Sequence, residues 1–451
     1  MQLTRRGLFG SLGVLGAGAS LGACSGPPDP KKAKSDPDTL LVRLWDQDVA
    51  DALTKAVRSF TRDTGWKVAF DVRAWDDYWT SLPLDVASED AADVFWMNAA
   101  NLAQLQVAGS LLDLDEAGVS GGDAWQSEVT DLYRREDTLW GVPITWETTH
   151  LLCNDDLLKT AKVDPDKLAF DPSATTDPLR KAATLLTRDG NDKHPGQKGF
   201  DPATRVSYGF GAVPDRVSVL GPFIAANGGA WQNEDESFAF ASPEGVAALE
   251  YLAEMAGTWS LAPAGEDSVA SPTLAREWFS EGRLALVQVA THELATVAAR
   301  AEKDLSWSVH PALPGPKGSA PLVHGVAAVG NAASAEKKPD KGDRPLKRGI
   351  TELLTWLGSA EAQEPLGTSG LGIPAHRDAQ DAFRSHWKKH DVDLGTSLDV
   401  PDRTARPETG VRSAEGTAAA LPILQKPFLG TMDAADAAPK AQKAADEEMN
   451  G

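Results

Sequence analysis

Apolar positions between residues 40 and 108 recur with two alternating periods. Leu40-Leu41-Val42-Arg43-Leu44-Trp45 is an apolar run of strand length. Val49, Leu53, Val57 and Phe60 then fall three or four apart, which places them on one face of a helix over 49–63. Gly65 ends that helix, and Lys67-Val68-Ala69-Phe70-Asp71-Val72 alternates with the period of a half-buried strand. A helix over about 76–88, a short buried strand at Asp93-Val94-Phe95-Trp96 and a helix over 101–108 stopped by Gly109 continue the alternation. Strand–helix alternation predicts an α/β fold with a mostly parallel sheet. Ligands of such sheets sit beyond the carboxyl ends of the strands. Trp45-Asp46, Trp75-Asp76 and Trp96-Met97-Asn98 all fall at or just after predicted strand ends. Three separate loops thus set an indole beside a polar group on one edge.

The first 38 residues follow another pattern. Thr4-Arg5-Arg6-Gly7-Leu8-Phe9 resembles a twin-arginine export signal, and Leu21-Gly22-Ala23-Cys24 resembles a lipobox. The apolar stretch between them is shorter than the ~20 residues a bilayer core requires. Residues 1–23 are therefore expected to be a cleaved signal peptide, with Cys24 the lipidated first residue of the mature chain. Residues 24–38 carry four prolines and almost nothing apolar, as expected of a flexible tether. The expected location is the outer face of the cytoplasmic membrane. Whether export uses the twin-arginine or the general route stays open.

The remaining chain is long enough for a large core, at 451 residues in all and 42% hydrophobic. There are only two cysteines; with Cys24 lipidated, Cys153 has no partner for an intrachain disulfide. The net charge is −21, and removal of residues 1–23 takes Arg5 and Arg6 with it, leaving −23. Such a surface repels nucleic acid and anionic lipid. Tryptophan is the compositional outlier, at 14 against 13 Phe and 4 Tyr. Indole combines a broad apolar face with one N–H donor and suits half-wet recognition surfaces.

A series of segments resembles the family 1 extracellular solute-binding proteins of carbohydrate importers, the maltose-binding-protein-like group. They are Phe60 with Thr64-Gly65-Trp66-Lys67-Val68, Ala92-Asp93-Val94-Phe95-Trp96 and Ala108-Gly109-Ser110-Leu111-Leu112-Asp113-Leu114. Gly141-Val142-Pro143-Ile144-Thr145-Trp146-Glu147 leads to Leu151-Leu152-Cys153-Asn154-Asp155-Asp156-Leu157-Leu158, where relatives often have tyrosine in place of Cys153. Ala225-Ala226-Asn227-Gly228-Gly229, Phe279-Ser280-Glu281-Gly282-Arg283-Leu284-Ala285-Leu286 and Gly370-Leu371-Gly372-Ile373-Pro374 follow in order. The resemblance implies a two-lobe, type II periplasmic-binding-protein fold with the ligand in a hinged cleft between lobes. It places residues 39–145 and 290–345 in the N-terminal lobe, and 146–289 and 346–451 in the C-terminal lobe. Residues 335–345 read as a charged surface loop. Leu346–Leu357 and 433–449 read as helices.

The same resemblance places ligand contacts on Trp45, Asp46 and Asp48, on Trp75, Asp76 and Asp77, on Trp96 and Asn98, and on Trp146 and Glu147. Asp215, Arg216, Trp231, His292 and Glu293 would serve from the second lobe. Gly325 would admit backbone to the ligand, and Arg412 would close the site. A pyranose has a face of C–H groups and a rim of hydroxyls; indole covers the first, and Asp, Asn, Glu and Arg pair with the second. Packing roles stay open for Trp96, Trp146 and Trp231, and an interior one for His292.

The chain carries no His-Glu-x-x-His, Gly-x-Ser-x-Gly or phosphate loop. His386-x3-His390 encloses two lysines and reads as a solvated helix face, and Asp189-Gly190-Asn191-Asp192 lacks the distal glutamate of a calcium loop. The sequence thus predicts a non-enzymatic, monomeric substrate-binding lipoprotein without metal or cofactor. It would deliver a sugar or oligosaccharide to an ABC permease. The alternatives on the same fold are a polyamine caged by Asp46, Asp48, Glu147 and Glu293, or a glycerophosphodiester met by Arg216 or Arg412. A secreted carbohydrate-active enzyme is a further alternative.

Overall fold

The computed structural model describes residues 36–88, 91–271, 273–338 and 343–451. The expected signal peptide 1–23, Cys24 and all but the last three residues of the tether lie outside the described residues. Two sheets carry the fold. The first contains β1 (Thr39–Leu44), β2 (Lys67–Val72), β3 (Val94–Met97) and β4 (Val142–Glu147). The second contains β5 (Thr149–Asn154), β6 (Arg188–Asp189), β7 (Arg205–Phe210), β8 (Leu284–Ala290) and β9 (Trp307–Pro311). The chain then returns to the first sheet with β10 (His324–Gly330) and β11 (Ile373–Pro374). The strand orders are β11-β4-β10-β3-β1-β2 and β9-β5-β8-β7-β6.

The opening of the chain folds as its periodicity predicts. β1 runs parallel to β2 and β3, with all six of its residues buried. The intervening helix Gln47–Thr64 starts where the Asp46 carboxylate accepts the Val49 N–H at 3.1 Å. It ends at Gly65, whose φ of 77° is the left-handed cap conformation. Val49, Leu53, Val57 and Phe60 are its buried face, each side chain contributing about 1.5–3 kcal/mol on full burial. The first sheet is mixed rather than mostly parallel, because β10 runs antiparallel to both β3 and β4.

The chain passes between sheets at Thr148, between β4 and β5. Thr291, just after β8, ties down this crossing. Its hydroxyl accepts the Thr148 N–H at 3.0 Å, its own N–H donates to the Thr148 carbonyl at 3.1 Å, and His150 Nε2 lies 2.9 Å from the same hydroxyl. Burial pushes His150 down to about 4. A second passage covers 312–323. A third segment runs beside it, with Leu322 bridging Ala405.

Two expected lobe boundaries require correction. β9 pairs antiparallel with β5 throughout, so residues 290–311 belong with the second sheet. Helix Leu346–Leu357 packs on β10 and β4, and β11 pairs with β4. Residues 346 to about 390 therefore belong with the first sheet. The helix's apolar stripe, Ile350, Leu353, Leu354 and Leu357, had no partner assigned by sequence alone. Gly349 lets it settle on Trp66, since a Cβ there would lie 2.6 Å from the indole. The last helix, Ala434–Asn450, joins the second sheet's side against helix Pro243–Ala256, and helix Ser413–Leu424 packs on it and on helix Ala99–Val107. The expected loop over 335–345 begins in the last turn of a short helix, Ala332–Glu336. Cys153 is fully buried on β5, where burial pushes its thiol well above the ordinary range.

Candidate ligand-binding site

A cavity of about 550 Å³ opens between the two sheets. From the first sheet come Trp45, Asp46, Trp75, Trp96, Asn98, Thr145, Glu147, His324 and Gly325. From the second come Arg216, Val217 and His292, and from the passing segments Leu322, Pro407 and Glu408. Among the sequence candidates, Trp45, Asp46, Trp75, Trp96, Asn98, Glu147, Arg216, His292 and Gly325 thus line one space.

The aromatic wall follows from strand ends. Trp45 extends from β1 and Trp96 from β3, and their rings meet edge to face at 5.3 Å. Trp45 also meets Trp75 at 5.1 Å and Tyr78 at 5.0 Å, both edge to face. Trp96 is 2% exposed, whereas Trp75 is 50% exposed and forms the rim. The polar partners Asp46 and Asn98 both cap helices: Asn98 Oδ1 accepts the Asn101 N–H at 3.1 Å. Helix N-termini therefore point at this edge, and their dipoles favour partial negative charge such as hydroxyl lone pairs.

Glu147 closes the hinge side. The His292 imidazole Nδ1 lies 2.5 Å from its Oε2, the His292 N–H donates to the same oxygen at 3.3 Å, and His324 Nε2 is 3.7 Å away. Burial alone would raise this carboxyl; the His292 charge and hydrogen bonds win and hold it at about 2. The carboxylate in turn raises His292 to about 9, against burial. Burial pushes His324 below its ordinary value. At neutral pH the site thus holds a carboxylate–imidazolium pair beside a neutral imidazole. Opposite, Arg216 is 8% exposed, forms an ion pair with Glu408 and lies with its guanidinium 5.0 Å over the Trp231 ring.

Several candidates go elsewhere. Trp146 is 1% exposed and faces away from the cavity, because successive side chains on β4 point to opposite faces and Thr145 and Glu147 take the cavity side. Asp48, Asp76 and Asp77 are exposed in the first turns of their helices, outside the cavity wall. Asp215 caps the turn Arg216–Leu220 by accepting the Ser218 N–H at 2.6 Å, and burial raises its carboxyl. Glu293 is held by Arg276, the Ala290 N–H and the Ser218 hydroxyl. Trp231 lines a neighbouring cavity of about 340 Å³. Arg412 pairs with Glu448 in the closing helices. Gly325 is required by packing: a Cβ would lie 2.6 Å from both the Thr145 carbonyl oxygen and Val129 Cγ1. Sequence reasoning missed Thr145, Leu322, His324, Pro407 and Glu408. The period-two rule applied from Glu147 picks out Thr145; nothing local marks Pro407 or Glu408.

The model of the bacterial extracellular solute-binding protein family matches residues 44–364. The chain belongs to that family. Among curated proteins, the solute-binding chain is 28% identical over 176 residues to the maltodextrin-binding protein MdxE of Bacillus subtilis. That match spans 38% of this chain and 40% of MdxE, so it reaches about two-fifths of the relative's length. Among solved structures, UspC of M. tuberculosis superposes with a TM-score of 0.79 and 29% identity, over 91% of this chain and 100% of UspC. The maltose-binding protein MalE of Listeria monocytogenes, solved with maltose, gives 0.68 at 18% identity, over 91% and 98%. The cyclic α-maltosyl-1,6-maltose binding protein of Arthrobacter globiformis gives 0.67 at 18%, over 92% and 99%. The fold is the two-lobe type II fold of MalE-type binding proteins. Among the described residues no helix is long and apolar enough to cross a membrane.

Proposed function

We propose that this solute-binding protein captures a neutral sugar or short oligosaccharide between its lobes and hands it to an ABC permease without chemical change. The observation that carries the reading is a wall of three indoles facing charged groups that are already paired. Glu147 is neutralised by His292, Arg216 by Glu408, and Asp46 is engaged at a helix N-terminus. A neutral polyol exchanges hydrogen bonds with such pairs and leaves no charge unmatched. MdxE is a maltodextrin-binding protein and the Listeria MalE was solved with maltose, ligands of the same class.

A polyamine calls for unpaired carboxylates, and Glu293 and Asp48 lie outside the cavity. A glycerophosphodiester calls for a free arginine, and Arg216 and Arg412 are both paired. A glycosidase calls for a carboxyl held protonated near neutral pH; Glu147 is shifted the opposite way. The export signal, Cys24 and the Pro-rich tether support a protein anchored by lipid on the outer face of the cytoplasmic membrane.

The test is thermal unfolding of the full chain against mono- and oligosaccharides, polyamines and glycerophosphodiesters. Ligand at a hundred times its Kd stabilises by ~2.7 kcal/mol. A sugar that raises Tm and is recovered intact supports the reading. Stabilisation by a polyamine or phosphodiester alone replaces it, and recovery of shortened sugar makes the protein an enzyme.

A further inference from the structure

The cleft between the lobes is divided. The larger cavity and the neighbouring one of about 340 Å³ share Ala99 and Pro407 in their walls. The segment 403–409 runs between them: residues 403–407 and Thr409 line the smaller space, whereas Pro407 and Glu408 line the larger. Arg216 completes the partition. It lines the larger cavity while its guanidinium covers the ring of Trp231, which lines the smaller.

The partition is pinned from several directions. Arg216 is ion-paired to Glu408 and donates to the Arg406 carbonyl at 3.5 Å. The Gln232 side chain accepts the Thr409 N–H at 2.8 Å and donates to the Thr409 carbonyl at 3.1 Å. Ala405 exchanges backbone hydrogen bonds with Pro321 and Val323, at 2.9 and 3.1 Å. Beyond the partition the wall changes character. Arg134, Arg135, Asn233, Glu234 and Glu236 line the smaller cavity, and Arg135 bridges to Glu236 at 2.6 Å. The smaller cavity has one indole in its wall, Trp231, which is 5% exposed with one face covered by Arg216, against the three of the Trp45–Trp75–Trp96 wall.

We infer that the Arg216–Glu408 pair is an end wall that limits the length of the bound oligosaccharide to what the larger cavity holds. The inference rests on the carbohydrate reading. At about 550 Å³ the cavity lies in the middle of the range for small-ligand sites, about 300–1,000 Å³. It suits one or two pyranose rings against the three indoles. An additional ring meets a buried ion pair rather than open cleft. Removing both partners together leaves no lone charge behind and joins the two spaces.

The test is isothermal titration of the full chain with oligomer series of glucose, xylose and galactose, from one to six units, in the wild type, the double variant Arg216→Ala/Glu408→Ala and Glu408→Gln. The wild type is expected to reach its highest affinity at two units and to lose at least tenfold by four. Both variants are expected to bind short sugars more weakly, since the pair touches ligand, so the readout is the ratio of affinities along each series: the double variant is expected to bind four units at least as tightly as two, whereas Glu408→Gln, which keeps the wall's bulk, retains the wild-type ratio. Wild-type affinity that holds or rises through six units overturns the wall, and does so even if the double variant fails to fold. A double variant that binds with the wild-type length profile also overturns it. Binding with no length limit refutes the wall alone; absence of binding to every sugar refutes the carbohydrate reading and the wall with it.

Discussion

Replacing His292 with alanine isolates the carboxylate that the hinge strand delivers into the cleft. In the wild type the Glu147 charge raises His292 from its ordinary 6.5 to about 9. At 1.36 kcal/mol per pKa unit this sets a ceiling of ~3 kcal/mol. The imidazole is 55% exposed, however, and solvent screening brings the contribution to about 1 kcal/mol. The sign follows from linkage. A raised histidine stabilises fully below its unfolded value of about 6.5, and the contribution disappears as pH rises through about 9. From the other partner, Glu147 at about 2 stabilises above its unfolded value and loses this as pH falls through 2. The stability gap between wild type and His292→Ala is therefore widest near pH 5–6 and closes by about pH 10. Urea unfolding of both proteins at several pH values across that interval measures it. A gap that is constant with pH, or that widens toward alkaline pH, refutes the assignment of an imidazolium–carboxylate pair.

Three further outcomes are expected. Trp75→Ala lowers sugar affinity about tenfold while changing stability by only about 0.5 kcal/mol, because this ring is a half-exposed rim; calorimetry and melting read the two effects separately, and an unchanged affinity counts against the aromatic wall. Trp146→Ala does the reverse: it removes a buried core indole and costs about 3–5 kcal/mol in urea unfolding, with ligand affinity of the folded protein nearly unaltered. Gly325→Ala drives a methyl into the Thr145 carbonyl and Val129 and destabilises by about 1–3 kcal/mol; wild-type stability in that variant removes the packing explanation for the glycine.

The early strands and helices were legible because each is specified within about ten residues by period, cap and stop: Asp46 opens a helix and Gly65 closes it. The indoles at strand ends were legible for the same reason, and Trp45, Trp75 and Trp96 do share a wall. Trp146 and Glu147 show where local reading stopped short. The family resemblance points both at the ligand and leaves packing open for Trp146; neighbours on a strand face opposite sides, and Trp146 takes the core side. The destinations of β9 and of helix Leu346–Leu357 are set by long-range pairing with β5 and by contact with Trp66, which no short window contains. Glu408 stands in an irregular stretch with neither period nor motif. Its place opposite Arg216 comes from folding the third connecting segment back across the cleft. Arg412 lies four residues beyond it and pairs outward with Glu448 instead.

Cys153 carries a practical consequence. It is the second of two cysteines in the chain, and its thiol is sealed between strands with its ionisation suppressed. Thiolate is the reactive form, so alkylating dyes pass this residue by. A secreted form beginning after Cys24 is then silent toward maleimides without any mutation. One cysteine placed on the cleft rim accepts a single environment-sensitive fluorophore, and the wild-type framework becomes a reagentless optical sensor for whatever enters between the lobes.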